Sequence, residues 1–301
     1  MIGVFSNFRF NHFSKGVFSM KKQLTLFSLL IVAFSIAASA QQTGNLVVNG
    51  DAAKGLKNWT GPLQVVENGP QNTPCFSVTG SKMITTTDWI EVDPSKTYRL
   101  SGDFKSAGGG PNVALIGLRL FNAEKKAIDA TSVSAIANSG TTLAADAGTG
   151  STQVKVRDAA SWENAMRTQR LAIAFATSPG EEYSDLPNFQ TCRVTSLEKS
   201  DDGWDISLDK PLDKPYQEGT AVRAHLISGH LMYVFTFNKH LPDWTNYQGL
   251  IKPVVKNGSP SSTFWPGTKY IKIMILANWG RKENETLLFG NISLEEVKSG
   301  N

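Results

Sequence analysis

Along much of this 301-residue chain apolar and polar side chains alternate with a period of two. Tyr98, Leu100, Gly102 and Phe104 fall on one side of a run, with Arg99, Ser101, Asp103 and Lys105 on the other. That is the spacing of a half-buried β-strand. Ala114, Ile116, Leu118 and Leu120 alternate in the same way with Val113, Leu115, Gly117, Arg119 and Phe121. Ile271, Ile273 and Ile275 alternate with Tyr270, Lys272, Met274, Leu276 and Asn278. Each run carries one clean apolar face and one mixed face, which two sheets packed on their apolar faces would satisfy. Short β-branched and aromatic runs at 45–48 and 231–237 read as further strands. The best helical stretch, 158–170, makes a few turns at most. The pattern predicts an all-β protein.

Between 140 and 226 the texture changes. Small residues dominate from Gly140, a short strand is predicted at 153–156, and Val194 and Leu197 lead into a turn at 200–203. Ile206 and Leu208 then alternate with polar residues, as the second arm of a hairpin. Strand sequence typical of the first part resumes after His225. The expected organisation is a β-sandwich formed by 41–139 and 227–301, interrupted by a small β-rich inserted domain at 140–226 whose ends lie close together.

The first forty residues read as a leader. Lys21 and Lys22 precede an apolar run and the small-residue site Ala38-Ser39-Ala40, the layout of a secretory signal peptide whose true start is Met20 or Met1. The expected product is secreted, extracellular or periplasmic, after cleavage near Ala40. No later stretch is apolar enough to predict a membrane span. The leader holds four basic residues (Arg9, Lys15, Lys21, Lys22) and no acidic one, so it accounts for the formal charge of +4. The remainder is formally neutral, and nucleic acid is not an expected partner. Cys75 and Cys192 are the two cysteines. They fall in segments assigned to different domains and read as two separate thiols.

Particular blocks carry a family resemblance. "NLVVNGDAAKGLKNW" (45–59), "WIEVDPSKTYRLSGDFKS" (89–106), "LPDWTNYQGLI" (241–251) and the closing "FWPGTKYIKIMILAN" (264–278) with "LLFGNISLEEV" (287–297) occur in this order. They resemble the galactose-binding-like jelly rolls used as carbohydrate-binding modules beside secreted glycoside hydrolases. The resemblance implies a jelly-roll β-sandwich, with Trp59 and Trp244 as packing residues. It also implies a structural calcium in many members. Here Ala53 and Gly290 stand where acidic residues are usual. Asp51 and Asn291 remain and two likely carboxylates are missing, so no cofactor is expected, a structural calcium being the disfavoured alternative.

Sugars are held by aromatic faces stacked on pyranose C–H groups and by planar polar groups bonding hydroxyls. The candidate carbohydrate-binding residues are Trp89, Asp103, Arg119, Trp265, Asn278 and Trp279. Trp89 is out of phase with Ile90 and Val92 and is expected away from the core; Trp265 precedes a Pro-Gly turn and Trp279 ends a strand, so these two are expected at loop rims. His225, His230 and His240 have neither metalloprotease nor zinc-finger spacing and read as surface or rim histidines. No G-x-S-x-G elbow occurs, and no catalytic residue is assigned. The acidic doublets Glu181-Glu182, Asp201-Asp202 and Glu295-Glu296 read as solvated charge, and Asn58, Asn257, Asn284 and Asn291 lie in N-x-S/T sequons. The expected function is non-catalytic binding of a polysaccharide or glycan. An adhesion or structural protein, with a protein partner on the insert, is the second reading, and a polysaccharide-active enzyme the third.

Overall fold

A computed structural model describes residues 44–178, 183–256, 258–280 and 284–298. The leader, Glu181-Glu182 and the Asn257 sequon lie outside the described residues. Two antiparallel sheets face each other, and the chain passes repeatedly from one to the other. The first orders its strands as Trp59–Thr60, Lys82–Thr86, Tyr270–Ala277, Asn112–Phe121 and Met232–Lys239, with Ile90–Glu91 and Ala127–Ile128 paired on its flanks. The second runs Thr245–Ile251, Thr97–Ser106, Thr286–Val297, Cys75–Thr79 and Gln64–Val66. This is an all-β sandwich of the jelly-roll kind.

The period-two pattern decides which side chains fill the space between the sheets. Ala114, Ile116, Leu118, Leu120, Ile271, Ile273 and Ile275 from one sheet meet Leu100, Phe104, Leu287, Phe289 and Leu294 from the other, all fully buried. Each large aliphatic or aromatic side chain removed from water in this way contributes about 1.5–3 kcal/mol. Phe104 lies at the centre, edge-on to Phe237 at 5.3 Å and stacked with Phe289 at 6.4 Å.

The opening block departs from its expectation. Residues 45–48 form no strand; the chain from 47 to 58 is a succession of turns with positive φ at Asn49, Ala52, Gly55 and Asn58. Asparagine side chains compete here with the ladder. Asn45 Oδ1 accepts from Val47 N and from Leu294 N, and Asn49 donates through Nδ2 to Gly55 O and Lys57 O. Trp59 is buried, as a packing residue should be, and donates from Nε1 to Asn49 O. Gly50 seats the loop on the closing strand. Ile292 N donates to Gly50 O, and a Cβ on Gly50 would stand 2.0 Å from Ile292 O.

Residues 141–226 supply all six strands of a third antiparallel sheet, ordered Gln153–Val156, Gly203–Leu208, Thr191–Ser200, Leu171–Phe175, Ala221–Leu226 and Thr141–Thr142. Its apolar cluster is distinct from that of the sandwich and includes Trp162, Phe175, Trp204 and Tyr216. The helical stretch reduces to a 3-10 turn, Ala160–Trp162, and one short helix, Glu163–Arg167.

The third sheet meets the sandwich along a polar seam. Arg223 and His225 share the face of their strand that points away from Val222 and Ala224. Arg223 reaches Asp185 at 2.8 Å and donates from Nε to His225 Nε2 at 3.1 Å, while His225 Nδ1 donates to Thr131 O at 2.6 Å. These partners fix a neutral imidazole with its proton on Nδ1. His225 is 0 % exposed, so the surface reading of this histidine is corrected: the strand is covered on both faces. Burial, opposed by the Thr131 bond and assisted by Arg223, pushes its pKa down to about 4. Among the described residues no helix is long and apolar enough to cross a membrane.

Candidate functional site

The mixed faces of the central strands in the seven-stranded sheet turn outward together. Register places Tyr270 opposite Phe121, Lys272 opposite Arg119, and Met274 opposite Gly117, which in turn faces Tyr233. Trp89 precedes the short strand Ile90–Glu91 and is out of phase with the buried Ile90. It therefore folds over the end of this face, edge-on to Phe121 at 4.6 Å and to Tyr270 at 6.3 Å, and stays 38 % exposed. Three aromatic rings thus form one corner, with its Trp held by its neighbours and still open to solvent.

Polar groups continue from that corner. Arg119 meets Asp129 at 3.1 Å, and His230 Nδ1 lies 2.6 Å from the same carboxylate oxygen. Asp129 precedes the helix Ala130–Val133 without capping it through its side chain, so the carboxylate is turned to Arg119 and His230 instead. Beyond them Tyr233, Ser228, Gly229 and Pro260 line a cavity of about 260 Å³. The face as a whole offers flat apolar rings beside donors and acceptors, on strands whose spacing the sheet holds fixed.

Of the six residues singled out from sequence, only Trp89 and Arg119 come together. Asp103 lies on the other sheet, where Asn246 and Asn291 each donate to its carboxylate at 2.8 Å. Trp265 is 2 % exposed, within the sandwich core rather than on a rim, so its expected exposure is corrected: the Pro-Gly turn after it folds the ring inward. Asn278 is likewise corrected, at 0 % exposed. It accepts from Asn112 Nδ2 and donates to Val78 O, Gly80 O and Glu285 O, tying strand ends to a loop. Trp279 is exposed, at 49 %, but lies beyond the far end of Tyr270–Ala277, an end roughly 23 Å from Tyr270 at strand rise. Phe121, Tyr270, Lys272, Lys125 and Asp129 are not among the sequence candidates, and His230, read there as a surface or rim histidine, joins them on this face. Alternation already places Phe121, Arg119, Tyr270 and Lys272 on mixed faces; the register that brings these faces side by side is a long-range fact.

Polar groups of the opening loop and the last strand meet where the resemblance implies a calcium. Asn45, Asn49, Asp51 and Asn291 surround a hollow of about 350 Å³ between the opening loop and the last strand. Asn45 Oδ1, Asn49 Oδ1 and Asp51 Oδ1 already accept from backbone N–H groups. The carbonyls of Gly55 and Lys57 take the Asn49 amide at 2.9 and 2.7 Å. An amide nitrogen thus cross-links carbonyls that a cation could bridge, and Ser293 and Glu295 complete the polar lining of the hollow.

No protein-family model matches the chain, and no curated protein matches it in sequence. Solved structures resemble it at low identity. The "Family 16 Carbohydrate Binding Module-2" is 13% identical, covering 83% of this chain and 99% of that one with a TM-score of 0.32. The CBM22-1 xylan-binding domain from Paenibacillus barcinonensis Xyn10C is 8% identical, covering 81% and 88% with a TM-score of 0.33. TmCBM61, in complex with β-1,4-galactotriose, is 10% identical, covering 84% and 98% with a TM-score of 0.31. The xylan and the galactotriose belong to those proteins. What this chain's own strands define is a jelly-roll-type sandwich with an open aromatic and cationic sheet face.

Proposed function

We propose that this protein is an exported, non-catalytic carbohydrate-binding protein that holds a polysaccharide or glycan on the outer face of the seven-stranded sheet. The observation that carries the reading is the Trp89 corner: a half-exposed indole buttressed by Phe121 and Tyr270, beside the Arg119–Asp129–His230 group. Trp89 supplies a stacking surface, and the polar group supplies donors and acceptors for hydroxyls. Residues 140–226 are proposed as an inserted unit in the sandwich, and the leader as cleaved near Ala40.

A glycan array followed by affinity electrophoresis on soluble polysaccharides tests the reading. At least one polysaccharide is expected to retard the protein, and Trp89→Ala to weaken that interaction roughly tenfold or more, as truncation of a central aromatic contact does. No retardation by any glycan, or retardation indifferent to Trp89, would overturn it.

A further inference from the structure

We propose that the saccharide taken by this face is acidic, its carboxylate or sulfate ester held by Lys125 and Lys272 beside Trp89; this rests on the glycan-binding reading above. Lys272 is half-buried in mid-strand, with its ammonium 4.3 Å from the centroid of the Trp89 ring. Lys125 reaches the same ring from a neighbouring turn, at 5.2 Å, and the Tyr270 ring at 5.6 Å. That turn is fixed: Lys125 N donates to Asn122 O, Lys126 N donates to Asn122 Oδ1, and Lys125 itself has φ 60°. Two cations from separate elements therefore converge on one indole.

Their charge is not neutralised locally. Neither lysine has an ion-pair partner among the described residues, whereas Arg119 is matched by Asp129 and Lys269 by Glu91 at 2.7 Å. The register also sets Lys272 directly opposite Arg119, whose charge Asp129 answers, so Lys272 finds no counterion across the strands. A cation–π contact steadies an ammonium without accepting its N–H bonds as a hydroxyl or carboxylate would. An incoming oxyanion gains charge-assisted bonds from both lysines without displacing an existing ion pair. A neutral pyranose accepts ammonium N–H bonds through its hydroxyls but brings no countercharge.

The full-length protein would be titrated with polygalacturonate, with a neutral galactan and with a sulfated galactan, each at low and at high salt. The acidic polymers are expected to bind roughly tenfold tighter than the neutral one at low salt, the sum of two modest exposed ion pairs, with the difference shrinking at high salt. The variant Lys125→Gln/Lys272→Gln should erase the difference while thermal unfolding stays unchanged, and Lys125→Arg/Lys272→Arg should retain it. Preference for polygalacturonate or for the sulfated galactan identifies the carboxylate or the sulfate as the group held. Equal binding of neutral and acidic polymers, still lost in Trp89→Ala, would overturn the acidic preference and leave the glycan reading standing. Binding to none of these polymers, with a Trp89-dependent neutral glycan found on the array, would likewise overturn the acidic preference alone; no binding on the array either would overturn both.

Discussion

Asn278 shows how far a single polar side chain reaches in this fold. Its carbonyl oxygen holds Asn112, whose own Oδ1 takes the Ser106 hydroxyl, and Leu241 N donates to that hydroxyl. Replacing Asn278 by Ala takes the acceptor from the Asn112 amide and the side-chain donor from Val78 O, Gly80 O and Glu285 O, of which Glu285 O keeps its bond from Gly80 N. The expected loss is about 3 kcal/mol or more in denaturant unfolding. His225 carries the second prediction at this scale. Its folded pKa, about 4, lies below the 6.5 of an accessible histidine, so the unfolded chain binds the extra proton first. The stability from the neutral ring is present in full above pH 6.5, falls as pH drops towards 4, and is gone below that. The total is about 3 kcal/mol. Denaturant midpoints should therefore decline across that window in the native chain and far less in a His225→Gln variant that itself folds. Sequence spacing alone could place neither residue, because Asn and His are ordinary surface residues until tertiary packing covers them. Trp89 was legible, since its phase against Ile90 and Val92 is a local property.

At the level of elements, what period two can encode was readable. The inward sets on Thr97–Ser106, Asn112–Phe121 and Tyr270–Ala277 are buried as the alternation implies. The opening block was not, because a β-branched run cannot reveal that flanking asparagines will cap its backbone into turns. Gly50 tests that geometry. In Gly50→Ala the added methyl meets a backbone carbonyl on the closing strand, so the loop must lift. A destabilisation of about 2 kcal/mol is expected by thermal unfolding. An unchanged midpoint would show that the loop is not clamped there.

For the molecule as a whole, the two cores keep their cysteines apart. Cys75 lies in the sandwich and Cys192 in the cluster of the third sheet; both are free and buried, and burial pushes both thiols up. Denatured without reductant, the protein should take up two equivalents of alkylating agent. A requirement for prior reduction would contradict this arrangement.

The doorway of the third sheet has a kinetic consequence. The segment enters and leaves side by side, with Ile136 N donating to Ala224 O and Leu226 N to Ser134 O, and the sandwich strands Asn112–Phe121 and Met232–Lys239 pair beyond it. Until that doorway closes, those two strands are separated by a long tether whose closure costs entropy. Once the third sheet has formed, they are tethered as closely as the arms of a hairpin. Loosening the third sheet's core with Ile206→Ala should therefore slow formation of the sandwich in stopped-flow refolding, although residue 206 touches none of it.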